Sequence, residues 1–178
     1  KPEELKPLEG NVIRMYTCGP TVYNFAHIGN FRAYAFEDVL RRVIQFCGMG
    51  VKQVMNLTDV DDKTIRNANQ QGKALDNYTR TYKDAFFADL KALNIQSAEV
   101  YPAATDHIPE MIALVEKLME KGVAYKSDDG SVYFNVRKFP GYGALAHIDF
   151  DNQRTGARCA SDEDDKENVG DFALWKAW

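Results

Sequence analysis

Positive charge is in short supply in this sequence: 22 Lys and Arg stand against 26 Asp and Glu, for a net charge of -4. That balance gives no support for nonspecific nucleic-acid binding through a broad basic face, although a small basic patch on an acidic protein still permits a local RNA contact. Long apolar runs are missing too. None approaches the roughly 20 residues of a membrane span, and the opening KPEELKPLEG lacks the apolar core of a secretory signal. Cysteine is scarce: Cys18, Cys47 and Cys159 are widely spaced and odd in number. This argues against a disulfide framework and for a reducing compartment, so the expected location is the cytoplasm. No internal repeat is visible.

What remains is ordinary globular composition, 45% hydrophobic and 27% charged, over 178 residues. That length suits one domain with a sizeable core, or one domain carrying an insertion. The sequence starts without Met and stops in DFALWKAW, an apolar stretch that calls for burial or continuation. A piece of a longer protein is expected.

The order of elements points to an α/β fold. NVIRMYT (Asn11–Thr17) is rich in β-branched and aromatic residues and predicts a strand broken by Gly19-Pro20. Phe36, Val39, Leu40, Val43, Ile44 and Cys47 recur at helical spacing, predicting a helix with that face buried and Cys47 in the core. Gly48 and Gly50 end it, and VKQVMNL (Val51–Leu57) predicts a second strand. Strand, helix, strand over this length is a βαβ unit with parallel strands. Asp59, Asp61 and Asp62 suit the start of the next helix better than a metal cluster. Tyr82, Phe86, Leu90 and Leu93 mark a further amphipathic helix, and Ile108, Met111, Ile112, Val115, Leu118 and Met119 another. VAYKSDDGSVYFNV predicts a hairpin turning at Asp129-Gly130, and Ser161–Asn168 a solvated acidic loop.

Chemistry concentrates in YTCGPTVYNFAHIGN, Tyr16 to Asn30. Cys18 stands where the first strand ends, and ligands of open parallel sheets bind outside the carboxyl ends of the strands. Gly29 lets backbone approach a ligand, His27 and Asn30 add polar side chains, and the helix that follows offers unpaired N–H groups to a phosphate. A nucleotide polyphosphate fits such a site. Singly, each residue has a plainer reading: a histidine near a helix start is more often structural, and a free cysteine usually packs as a small hydrophobe. His107 reads as a cap or surface residue, His147 has no supporting constellation, and Cys159 is incidental.

The joint arrangement changes that weighing. YTCGPTVYNFAHIGNFRAYAFEDVLRR closely resembles the N-terminal region of the cysteine-specific family of class I aminoacyl-tRNA synthetases, whose pattern is a cysteine, Gly-x-Thr-Val-Tyr, and a His-Ile-Gly-His-type motif, here HIGN. The resemblance continues through VMNLTDVDDKTIRNAN, YPAATDHIPEMI, AYKSDDGSVYFNV and DFALWK, so it covers most of the chain.

The resemblance implies a Rossmann-like catalytic domain with a parallel sheet flanked by helices. Residues 1–100 would form its first half, and 101–178 a helix, a hairpin and the start of a connective insertion. It implies ATP, with Mg2+, as cofactor, and activation of L-cysteine to cysteinyl-adenylate followed by transfer to tRNA(Cys). His27, Gly29 and Asn30 match the ATP-binding motif, with His27 and Asn30 catalytic; Asn30 replaces the commoner histidine yet still donates a hydrogen bond. Cys18, Gly19 and Thr58 match substrate-binding positions, and Cys18 also a Zn2+ ligand. Zinc has a physical rationale: a pocket separates small near-isosteres by only about 10–200-fold, whereas a thiolate bonds zinc far better than a hydroxyl does. The family's other zinc ligands, its Lys-Met-Ser-Lys-Ser loop and its anticodon-reading domain have no counterpart in this sequence. The chain alone is therefore expected to be inactive and to hold zinc weakly or not at all. By analogy the family implies a monomer. Two other readings stay open: a ligase joining cysteine to an amino sugar in mycothiol synthesis, and a noncatalytic nucleotide-binding module.

Overall fold

The computed structural model of the chain describes residues 3–147 and 170–177. They fall into two compact units, Lys1–Ile108 and Pro109–Trp178. Cys159 and the acidic Ser161–Asn168 stretch lie outside the described residues.

In the first unit, strand β1 (Val12–Thr17) leads through a loop into helix α1 (Ile28–Phe46) and back to strand β2 (Gly50–Met55). The two strands are parallel, with Val12 opposite Gly50 and Thr17 opposite Met55, as the βαβ spacing predicts. Helices α2 (Asp62–Gln70) and α3 (Leu75–Ala92) then return the chain to the sheet. There an extended stretch runs parallel to β2 through bridges Val54–Val100 and Leu57–Ala103. The order β1, β2, third stretch is parallel throughout, and it gathers the carboxyl ends of all three at one edge.

The core beneath this sheet is aromatic and aliphatic: Phe31 and Tyr34 from α1, Met55 and Leu57 from the second strand and its extension, Phe86 and Leu90 from α3, with Ala98. Phe31, Tyr34 and Phe86 meet pairwise, with ring centroids 5.4–6.4 Å apart.

Helix α1 buries a different face from the one its apolar spacing predicts. Phe31, Tyr34, Asp38, Arg41 and Ile44 point inward, while Phe36, Val39, Leu40 and Val43 are exposed, as is Cys47. Only Ile44 of the predicted stripe is buried. The inner face tolerates charge because Asp38 and Arg41 both find partners, Arg41 Nε alone of these groups having none among the described residues. The Arg41 guanidinium donates to Gln53 Oε1 (3.1 Å), to the Ser97 carbonyl (2.9 Å) and to Glu99. Asp38 accepts from the Gln96 N–H at 2.9 Å and from Arg42 Nε at 2.7 Å. Buried polar groups with such partners cost little, so hydropathy alone misreads the helix.

Asp59 departs from expectation as well. Helix α2 is capped by Asp61, whose carboxylate accepts from the Lys63 and Thr64 N–H groups. Asp59 is buried, 2% exposed, and takes Lys83 Nζ at 2.6 Å and the Thr105 hydroxyl and N–H at 2.7 and 2.9 Å. It ties the end of β2 to α3 and to the third stretch.

Helix α4 (Ile108–Glu120) has no buried residue: of its predicted apolar face, Ile108, Val115 and Leu118 are half-buried and Met111, Ile112 and Met119 exposed. The hairpin forms as expected from β3 (Ala124–Lys126) and β4 (Val132–Phe134). Its turn closes through the Gly130 N–H on the Ser127 carbonyl, with Gly130 at φ 94, a conformation that favours glycine. A third strand, β5 (Phe172–Trp175), pairs antiparallel with β4, Phe172 opposite Phe134. Before it, buried Asp171 accepts from the Val136 N–H (3.1 Å) and the Tyr125 hydroxyl (3.0 Å). The DFALWK segment thus becomes an edge strand, which its short apolar run did not predict.

Candidate nucleotide and amino-acid site

The site grows from how β1 ends. Thr17 closes the strand, Cys18 emerges with an exposed free thiol, and Gly19 lies against the extension of β2. Its N–H donates to Asn56 Oδ1 at 3.1 Å. A side chain at position 19 would put its Cβ 1.9 Å from the Asn56 carbonyl oxygen, so glycine is required here by close approach. The following residues run beside Thr58: the Thr58 N–H donates to the Pro20 carbonyl and the Val22 N–H to the Thr58 carbonyl, both at 3.0 Å.

The outer part of this loop is braced from α2 and α3. The Tyr78 hydroxyl donates to the Tyr23 carbonyl at 2.5 Å and accepts from Asn67 Nδ2 at 3.2 Å. Phe25 sets its ring edge on Tyr82, centroids 5.1 Å apart, and Lys63 Nζ lies 5.0 Å from the centre of the Tyr23 ring.

The loop delivers His27 to the N-cap of α1. Nδ1 of His27 accepts the Gly29 N–H at 3.0 Å, and Asn30 Oδ1 accepts the His27 N–H at 3.0 Å. This reciprocal cap satisfies two helix-end donors. It also fixes proton positions. Because Nδ1 is an acceptor, the imidazole proton sits on Nε2; because Oδ1 of Asn30 is engaged, its amide presents Nδ2 as a donor. HIGN is therefore a helix cap whose outward groups are hydrogen-bond donors, joined by the N-terminal end of the α1 dipole.

A crevice of about 260 Å³ opens in front of this cap, lined by Gly19, Pro20, Tyr23, Phe25, His27, Asn30 and Tyr34 among others. Of the expected site residues, Gly19, His27 and Asn30 form its wall. Gly29 sits within the cap and is exposed. Cys18 and Thr58 stand beside the wall: Cys18 is covalently next to Gly19, and Thr58 is hydrogen-bonded to Pro20 and Val22. A larger hollow of about 610 Å³ lies over the strands, around Val12, Arg14, Tyr16, Lys52 and Val54. None of the expected site residues lines it.

Three wall or support residues escaped sequence reasoning. Tyr34 sits seven residues beyond His27, two turns along α1, a spacing that could have revealed it. Burial, together with the nearby Cys18 and Glu37, pushes its phenol up to about 12, so it stays a neutral donor. Glu37, next on that helix, has its carboxyl raised by burial, partly opposed by a hydrogen bond with Thr17. Its Oε2 has no hydrogen-bond partner among the described residues. Asn56, two residues before Thr58 on an extended chain, shares its side of the strand.

Metal chemistry is not supplied by these residues on their own. Among the described residues no three His, Cys, Asp or Glu side chains come together to hold an ion, and a lone Cys18 thiolate does not make a tetrahedral site.

A model of the family described as "tRNA synthetases class I (C) catalytic domain" matches residues 4–178. The chain belongs to that family. It is similar to the cysteine--tRNA ligase of Protochlamydia amoebophila, 61% identical over 178 residues, covering 99% of this chain and 37% of that protein. The cysteine--tRNA ligases of Brachyspira hyodysenteriae (57% identical, 99% and 37%) and Chlamydia pneumoniae (54% identical, 93% and 35%) are further relatives. The chain thus spans little more than a third of the curated relatives it matches. Among solved structures, Mycobacterium tuberculosis methionyl-tRNA synthetase in complex with methionyl-adenylate superposes with a TM-score of 0.64 at 17% identity, over 78% of this chain and 35% of that one. At that identity the likeness speaks for the fold alone, an α/β fold with a parallel sheet flanked by helices.

Proposed function

We propose that the full-length protein activates L-cysteine with ATP and transfers it to tRNA(Cys). A cysteine carboxylate oxygen attacks the α-phosphorus of ATP, pyrophosphate leaves, and cysteinyl-adenylate forms. A hydroxyl of the terminal tRNA ribose then attacks the acyl carbon and AMP leaves. The observation that carries this reading is the HIGN cap: His27 Nε2–H, Asn30 Nδ2 and the α1 N-terminus present donors to one crevice beside Cys18 and Thr58. Donors aimed where negative charge grows are worth most in a transition state.

In this reading His27, Gly29 and Asn30 hold ATP and its Mg2+-bound phosphates, and His27 and Asn30 stabilise the pentavalent phosphorus. Gly19 and Thr58 position the amino acid. Cys18 contributes one thiolate toward Zn2+, the remaining ligands coming from beyond the described residues. Zinc, when bound, supplies preference for a thiol over the hydroxyl of serine. The protein acts as a cytoplasmic monomer.

The test is cysteine-dependent ATP–pyrophosphate exchange by the full-length protein, followed by charging of a tRNA(Cys) transcript. Exchange with serine should be negligible. Transfer to an amino sugar with no transfer to tRNA would replace this reading with the mycothiol-type ligase. Absence of any cysteine-dependent exchange would leave a noncatalytic nucleotide-binding module.

A further inference from the structure

We propose that Asn56 is a positioning residue that fixes the direction of the Thr58 hydroxyl and so makes Thr58 an obligate hydrogen-bond donor to the bound amino acid. The inference rests on the reading of Thr58 as a substrate contact. Its logic is a chain of forced assignments. A backbone N–H can only donate, so the Asn56 atom 3.1 Å from the Gly19 nitrogen is the carboxamide oxygen. The amide NH2 therefore faces Thr58 Oγ1, also at 3.1 Å. An NH2 group can only donate, so the Thr58 oxygen accepts and its single hydrogen points away from Asn56.

A threonine hydroxyl ordinarily rotates to suit whatever it meets. Here that freedom is removed at both ends. The Thr58 backbone is pinned by Pro20 and Val22 at 3.0 Å, and Asn56 is pressed onto Gly19 so closely that no β-carbon fits between them. The outcome is a preorganised donor suited to the carboxylate of an amino acid and to the carbonyl oxygen of its adenylate. Asn56 thus couples the turn carrying Cys18 and Gly19 to the residue that meets the amino acid, without touching substrate itself.

The experiment uses the full-length protein in ATP–pyrophosphate exchange, varying cysteine and ATP separately. Asn56→Asp keeps the acceptor for the Gly19 N–H but cannot donate, so the Thr58 hydroxyl turns back onto the new carboxylate. The expected result is a roughly 10- to 100-fold rise in KM for cysteine, the scale of one hydrogen bond to a charged group, with KM for ATP unchanged. The added negative charge is separated from hydroxyl direction by repeating the change in Thr58→Val and Thr58→Ser. It should add nothing in Thr58→Val and reproduce its full effect in Thr58→Ser. Thr58→Val alone, with Asn56 intact, should raise the cysteine KM by the same factor, which keeps the test decisive if Asn56→Asp does not fold. Equal losses toward cysteine and ATP, full additivity with Thr58→Val, or no effect of Thr58→Val would overturn the proposal. A wild-type protein lacking cysteine-dependent exchange would instead sink the functional reading, and this inference with it.

Discussion

His27 and Asn30 hold each other at the start of α1: the Asn30 side-chain oxygen takes the His27 N–H at 3.0 Å, and the His27 ring takes the intervening Gly29 N–H at the same distance. The proposed function gives these two side chains a chemical role beside the structural one, and the two roles separate by substitution. His27→Asn retains a good helix cap and loses the outward Nε2–H. Stability should stay within about 0.5 kcal/mol, while cysteine-dependent exchange by the full-length protein should fall about 10²- to 10³-fold. Asn30→Asp keeps the cap acceptor and turns the outward donor into a negative acceptor facing the crevice where the proposed function places phosphate. Urea midpoints should hold and the KM for ATP should rise. Parallel loss of stability and activity in both variants would reduce HIGN to a cap.

The two glycines flanking this segment should respond in opposite ways. At Gly19 an added Cβ meets backbone, the Asn56 carbonyl oxygen at 1.9 Å, and backbone held by the adjoining bridges Leu57–Ala103 and Thr21–Thr58 yields poorly. Gly19→Ala should destabilise the 178-residue chain by at least about 2 kcal/mol, read from its urea midpoint. At Gly29 the added Cβ meets the His27 ring at 2.8–3.0 Å, and an exposed ring can swing aside. Gly29→Ala should cost no more than the lost cap bond, about 1 kcal/mol, and displace His27, lowering kcat/KM for ATP in the full-length protein.

The βαβ unit was legible because both strands are short β-rich runs and glycines interrupt the chain after the first and before the second. The buried face of α1 was not. Periodicity ranks Phe36 and Val43 above Asp38 and Arg41, and nothing local reveals that Gln53, Ser97 and Glu99 converge on Arg41 from 12 to 58 residues away. Asp59 was misread for the same reason: among three nearby aspartates, one caps a helix and another is buried, and only the distant Lys83 and Thr105 distinguish them. Polar residues satisfied at long range are invisible to local pattern, whereas Tyr34 and Asn56 stand at helical and strand spacing from His27 and Thr58 and could have been found.

That misreading yields a sharp contrast in stability. Phe86, 2% exposed among Phe31, Tyr34 and Leu90, should cost about 3–5 kcal/mol when replaced by Ala. Val43 and Phe36, the residues that hydropathy puts in the core, are 52% and 69% exposed. Val43→Ser and Phe36→Ser should each change the stability of this chain by less than about 0.5 kcal/mol. Urea titration of the three variants checks the assignment, and a large loss in either serine variant would show that α1 packs by its predicted face.

Acid should reach Asp59 only after the ordinary surface carboxylates. Burial works to raise its carboxyl, yet the hydrogen bonds from Lys83 and Thr105, with the Lys83 charge, together outweigh burial and hold it below the ordinary carboxylate value. A carboxylate depressed in the folded state binds its proton more readily when unfolded. Its stabilisation is therefore complete above the unfolded pKa, about 4, and drains away as pH falls toward the lower folded value. Asp59→Asn should lower the urea midpoint at neutral pH, and the gap to wild type should narrow on acidification below about pH 4. Lys83→Met leaves the carboxylate buried without its countercharge and should cost about 3 kcal/mol or more at neutral pH. Adding Asp59→Asn to it removes the stranded charge, so the double variant should be more stable than Lys83→Met alone. If the double variant is instead the weaker by the full sum of the two single losses, Asp59 and Lys83 are not coupled, and the tie between the end of β2 and α3 lies elsewhere.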